Sequence, residues 1–145
     1  MTENHLKDII DINGVDGVFI ASNRGQVIER VGIKLDNTVL EEVAILILRI
    51  ISAYHVKKRI IKEVEIIWNN YRIIARNSNE FVIISFCNSE KALSLLRITL
   101  NVVLTHLIED KKFKKQIEKH ATQKTVVLRK GNLDPEEINL ISKLQ

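Results

Sequence analysis

Glu63–Arg76 constrains the fold of this 145-residue chain more than any other stretch, because two independent signals in it agree. Asn69-Asn70 suits a tight turn between two runs of alternating apolar and polar residues. A two-residue loop there pairs Trp68 with Tyr71, Ile66 with Ile73, Val64 with Ala75 and Glu63 with Arg76. That register gathers Val64, Ile66, Trp68, Tyr71, Ile73 and Ala75 on one face. It leaves Glu63, Glu65, Arg72 and Arg76 on the other, with opposite charges as neighbours. A slip of one residue would turn the whole apolar set to water, so turn chemistry and patterning specify the same hairpin.

A second hairpin opens the chain. Val15 to Ala21 is an apolar run, Gln26 to Val31 a second, and Ser22-Asn23-Arg24-Gly25 suits a turn whose last residue reaches positive φ, which Gly25 does without steric cost. Val18-Phe19-Ile20-Ala21 does not alternate, which is the pattern of a strand covered on both faces. Phe81-Val82-Ile83-Ile84, within a strand expected over Glu80 to Cys87, reads the same way. Helical periodicity fills the remainder: Thr2 to Ile12 around Leu6, Ile9 and Ile10, a second helix from Asp36 or Asn37 to about Tyr54, and a third from Asn88 or Ser89 to about Glu109. The third presents Leu93, Leu96, Leu100, Val103, Leu104 and Leu107, broadened by Leu95, Ile98 and Val102. The order α-β-β-α-β-β-β-α specifies an α+β fold, a five-stranded antiparallel sheet sandwiched between helices.

The second helix is too apolar for one covering. Leu40, Val43, Ala44, Ile47, Ile51 and Tyr54 form one face and Val39, Leu46, Ile50 and Ala53 a second, while Ile45 and Leu48 widen the stripe. Only one face of a helix packs on its own sheet, so the rest belongs either to a central core or to a subunit interface. A chain this short has few elements to spare, which favours the interface. The expected dimer or partner surface is therefore Val39, Leu46, Arg49 and Ile50 on the helix. To these are added Lys62, Val64, Ile66 and Trp68 on a strand that would be an unpaired edge in a monomer.

Charge divides the chain. The net charge is +4, yet residues 1–110 hold 13 basic against 14 acidic side chains, whereas residues 111–130 hold 8 basic residues against Glu118 alone. Residues 1–110 read as the folded domain and residues 111–145 as a basic extension. Lys111 to Ala121 is expected to continue the third helix, and Thr125 to Leu128 to form a short strand. Asp134-Pro135-Glu136-Glu137 starts a final helix with Ile138, Ile141 and Leu144 on one face. Lys111, Lys112, Lys114 and Lys115 raise an alternative function, binding of nucleic acid or another anionic surface, although Phe113 is the one aromatic residue among them.

Reactive constellations do not emerge. His5, His55, His106 and His120 lack ligands at metal spacing, Gly14-x-x-Gly17 precedes a strand rather than linking strand to helix, and Glu63-x-Glu65 alternates beside arginines as a surface pair would. Cys87 falls in an apolar strand, as a structural thiol does. Met1 to Asp8 is polar, and the longest apolar run, Val43 to Leu48, is far below the ~20 residues of a membrane span. The expectation is a cytoplasmic protein that is not an enzyme, with no cofactor and no metal.

The chain resembles the roadblock/dynein light-chain family, in its MglB-like bacterial and archaeal branch. Ile12-x-Gly14-Val15-x-Gly17-Val18 with Ser22-Asn23-Arg24-Gly25 carries the likeness, as does the charged-to-apolar second helix. So does Phe81-Val82-Ile83-Ile84 leading through Asn88-Ser89 into Leu93-Ser94-Leu95-Leu96-Arg97. It extends over about Thr2 to Asp110. The resemblance implies a non-enzymatic module that pairs with itself or with a related roadblock protein, third strand to third strand, with the second helices lying together. It also implies a Ras-like small GTPase as partner, with the module as activator, exchange helper or scaffold. Profilin-like ligand-sensing domains share related layouts and provide a third functional reading, a pocket under the sheet.

Overall fold

The computed structural model describes residues 2–78 and 80–127. Strands β1 (Val15–Ser22), β2 (Val27–Gly32), β3 (Glu63–Trp68), β4 (Tyr71–Asn77) and β5 (Phe81–Cys87) form one sheet in the order β2-β1-β5-β4-β3. Every neighbouring pair is antiparallel. The hairpin of β3 and β4 has the register its sequence specifies, from Glu63 opposite Arg76 to Trp68 opposite Tyr71. Asn69 takes φ 53° in the turn, a conformation Asn tolerates better than most residues. In the first hairpin Gly25 adopts φ 87°, and the Ser22 hydroxyl accepts from the amides of Arg24 and Gln26.

Among the described residues, four helices cover the two faces: α1 (Thr2–Ile10), α2 (Asn37–Val56), α3 (Leu93–Glu109) and α4 (Lys111–Val127). A single 3-10 turn, Glu90–Ala92, leads into α3. One core joins Leu6 and Ile9 of α1, Leu96 and Leu100 of α3 and Phe113 of α4 to Val18, Ile20 and Ile83 of the sheet. The other sets Leu40, Val43, Ala44 and Ile47 of α2 against Phe19, Ala21, Ile84 and Phe86. Val18 and Ile20 thus face one layer while Phe19 and Ala21 face the other. This is the two-sided burial their unbroken apolar run implies.

Four local expectations are corrected. Asp36 and Ser89 occupy N-cap positions, but neither side chain makes a capping hydrogen bond. Asn37 Oδ1 accepts from Arg30 Nη1 at 2.8 Å, and Asn88 Nδ2 donates to Asp16 Oδ2 at 2.7 Å, so these side chains tie loops together. Leu95, Ile98 and Val102 do not broaden the core face of α3 but point away from it. The segment after Asp110 is not a continuation of α3. Asp110 leaves the helix with ψ 112°, and its carboxylate accepts from the amides of Lys112 at 2.9 Å and Phe113 at 3.2 Å, which starts α4 in a new direction.

Helix α4 is amphipathic where its side chains are described: Phe113 and Ile117 are buried in the core with α1 and α3, while Lys111, Lys112, Lys114 and Lys115 are exposed. Thr125 to Val127 is helical, so no strand forms there. Leu128 and the final helix expected from Asp134 lie outside the described residues. By length and composition alone Glu90–Glu109 could cross a membrane. Here Leu96, Leu100, Val103 and Leu107 are buried in the core beside the sheet.

Candidate functional site

Helix α2 owes part of its excess apolar breadth to its own chain. Ile45 packs on the first turn so closely that a Cβ on Gly25 would lie 2.7 Å from Ile45 Cγ1. Leu48, Ile50 and Ile51 are half-buried against the core beneath the helix. What remains exposed on α2 is Leu46, at 48%, with Tyr54 and Val56 nearly as open on other sides of the helix toward its end. Val39 and Arg49 are partly covered. Of the expected helix residues, Leu46 is the one that offers a large apolar side chain to a partner, while Ile50 serves mainly to pack the monomer.

Strand β3 is an edge strand, as expected. Its side chains divide differently from the proposed surface. Val64 is buried, and Ile66 and Trp68 are half-buried against the core under α2, because that face of the hairpin is the one α2 covers. Val64 is therefore core, and a partner meeting β3 would meet its backbone edge. Lys62 is exposed just ahead of the strand, where its carbonyl accepts from the Asn77 amide at 2.8 Å. On the opposite face Ile67 is 71% exposed, a residue the sequence reading passed over. Period-two alternation with Glu63 and Glu65 was the signal that could have found it.

An ion-pair lattice braces that edge. Arg97 of α3 donates from Nε to Glu63 Oε2 at 2.9 Å and from Nη2 to Glu65 Oε1 at 2.8 Å. Arg72 reaches Glu65 Oε2 at 3.4 Å and also pairs with Glu90. The hydrogen bond that Arg97 donates to Glu63, reinforced by the charges of Glu63 and Glu65, raises the Arg97 pKa against the opposing effect of burial. The carboxylates Glu63 and Glu65 are thus held by arginines on both neighbouring elements.

Other chemistry has little support at these positions. Among the described residues, no group of three or more His, Cys, Asp or Glu side chains is placed to hold a metal ion. His5 and His106, distant in sequence, stand with ring centroids 5.4 Å apart across α1 and α3. Phe113, the aromatic among the basic residues, meets Phe81 edge to face at 4.9 Å inside the core, so it cannot stack on a base. The exposed lysines of α4 are left without an aromatic platform among the described residues. An open cleft of about 250 Å³ lies between α3, α4 and the β4–β5 turn, lined by Phe81, Leu107, Phe113 and Ile117 with Glu80 and Lys114 also present. It is beside the sheet's end and not beneath its centre, where both faces are filled by the two cores.

Neither the family models nor the curated proteins give a match to this chain. Solved structures do. A roadblock/LC7 domain from Streptomyces avermitilis superposes with a TM-score of 0.60 at 11% identity, over 72% of this chain and 92% of that one. MglB of Myxococcus xanthus gives a TM-score of 0.60 at 14% identity, over 74% and 94% of the respective chains. An MglB described with a tetrameric arrangement gives 0.60 at 10% identity, over 81% and 88%. At such identities the likeness is one of fold.

Proposed function

We propose that this chain, which has the roadblock/LC7 fold seen in MglB proteins, is a non-catalytic dimeric regulator or scaffold for a Ras-like small GTPase. The observation that carries the proposal is the coincidence of an unpaired edge strand with exposed apolar side chains on α2, Leu46 foremost, in one monomer. Two β3 edges pairing about a two-fold axis satisfy each other's backbone N–H and C=O groups and make one sheet across both subunits. Leu46, Tyr54 and Val56 of the two α2 helices then have apolar surface to cover. The pair of α2 helices would present the GTPase with a surface no single subunit has.

No side chain of the described surface is placed as a catalytic group. An activator of this kind works by holding the GTPase's own water-positioning and phosphate-binding residues in place, and it requires no arginine of its own. The proposal sets the protein in the cytoplasm, where such partners act. The tetrameric arrangement named for one MglB structure supports self-association as a property compatible with this fold.

The test is titration of the purified full chain against candidate GTPases loaded with GTP or GDP, beside Leu46→Glu. Binding selective for one nucleotide state and lost in the variant supports the proposal. Binding without faster hydrolysis assigns a scaffold, and faster hydrolysis assigns an activator. No binding in either state, or a wild-type protein that sediments as a monomer, overturns it.

A further inference from the structure

We propose that the outer face of α3 is a second homotypic interface, on which the α3 helix of another copy of this chain packs antiparallel. Leu95, Ile98, Val102, Thr105 and Glu109 of α3 follow one another in alternating steps of three and four residues, the spacing of a helix–helix seam, and Lys91 stands four residues ahead of Leu95 in the 3-10 turn that leads into the helix. All six are exposed, and the five on α3 lie on a face turned away from the buried Leu96, Leu100, Val103 and Leu107. Leu95, Ile98 and Val102 are 54%, 61% and 49% exposed. From Ile98 to Ile108 the helix carries no Lys, Arg, Asp or Glu, and Arg97 is turned to Glu63 and Glu65. No unpaired charge would therefore have to leave water when the middle of this stripe is covered.

The stripe is complementary to itself in one direction only. A two-fold axis near Leu100 sets Ile98 opposite Val102 of the second copy, Leu95 opposite Thr105, and Lys91 opposite Glu109 at both ends of the seam. A parallel pairing would instead oppose Lys91 to Lys91 and Glu109 to Glu109. Self-complementarity of this kind is what a two-fold contact between identical chains requires. A lipid surface fits less well. Membrane-seated helices are flanked by cations, and this stripe ends in a lysine at one end and a glutamate at the other.

Helix α3 covers the sheet face opposite α2, so this contact and the proposed dimer can be occupied together. The two contacts would link dimers into a tetramer or a longer array. The α3 contact does not depend on the dimer reading.

Sedimentation velocity on the full chain tests it, with circular dichroism to verify folding. The expected result is concentration-dependent association beyond the dimer, which Ile98→Glu removes while leaving the dimer. Lys91→Glu and Glu109→Lys each weaken that further association about tenfold, and the double variant Lys91→Glu/Glu109→Lys restores it. Failure of the double variant to rescue overturns the antiparallel pairing. Association unchanged by Ile98→Glu overturns the interface, and if Leu46→Glu then halves the particle, the dimer reading stands alone. The converse pattern, Ile98→Glu effective and Leu46→Glu silent, supports the α3 contact and overturns the dimer reading. Recovery of the wild type on phosphatidylserine vesicles, lost in Ile98→Glu with no change in sedimentation, would assign the stripe to lipid and overturn the proposal.

Discussion

Arg97 on α3 grips Glu63 on the edge strand, Nε to Oε2 at 2.9 Å, and the same guanidinium reaches Glu65 two residues along at 2.8 Å. Glu63 and Glu65 share a face because a strand repeats every two residues, and one planar guanidinium can bridge them. The grip ties the outermost strand to a helix that otherwise packs nearer the sheet's middle. Because these groups are partly exposed, the expected cost of Arg97→Ala is modest, about 1 kcal/mol, and it shrinks in high salt. Amide exchange in β3 should speed up in the variant, and Arg97→Lys should restore only part of the protection, since an ammonium cannot hold both carboxylates in one plane. Equal denaturation midpoints for wild type and Arg97→Ala at low salt would show that the lattice contributes nothing.

Phe113 links the basic segment to the body. Its ring meets Phe81 edge to face at 4.9 Å and is buried beside Leu107 and Ile117. Removal of a buried phenyl ring leaves a cavity, and Phe113→Ala should destabilise the whole protein by about 3 kcal/mol in urea unfolding. Truncation after Asp110 should be at least as damaging. Wild-type stability in the truncated chain would show that α4 is dispensable to the fold.

Asp110 starts α4 through two backbone hydrogen bonds to its carboxylate. The Phe113 amide is the largest influence lowering its pKa, the Lys112 amide adds to it, and burial opposes both. A group whose pKa falls on folding contributes stability above its unfolded pKa and loses it as pH drops through the folded value. Protection of the Lys112 and Phe113 amides should therefore be constant near neutrality and fall as pH descends below the ordinary carboxylate range. Asp110→Asn, which keeps the acceptor oxygen, should hold that protection flat across the same pH range, and Asp110→Ala should lose it at every pH.

Gly25 sits at φ 87° directly beneath Ile45. Gly25→Ala meets two penalties, a left-handed backbone unsuited to a side chain and a Cβ 2.7 Å from Ile45 Cγ1. Their combined cost should be about 2 kcal/mol. Gly25→Ala in an Ile45→Ala background should cost less, because the clash is relieved and the backbone strain is not. Additive losses in that double-mutant cycle would show that the contact between turn and helix is energetically silent.

The sequence by itself determined the elements whose signals are local. The Asn69-Asn70 turn and the alternation around it specified every pair from Glu63–Arg76 to Trp68–Tyr71, because loop length and a period of two leave a single register. The unbroken runs at Val18 and Phe81 announced strands covered twice, and the order of elements named the architecture. Tertiary structure decided which covering meets which face. Val64 became core because α2 lies over that side of the hairpin, Ile45 found its partner on a turn twenty residues earlier, and Phe113 entered the core from a segment that composition marked as solvated. The outward stripe of α3 was likewise indistinguishable from a broad core face, since a helix's apolar breadth does not state the direction from which it will be covered. Those outcomes depend on contacts between residues far apart in the chain, and no local pattern encodes them.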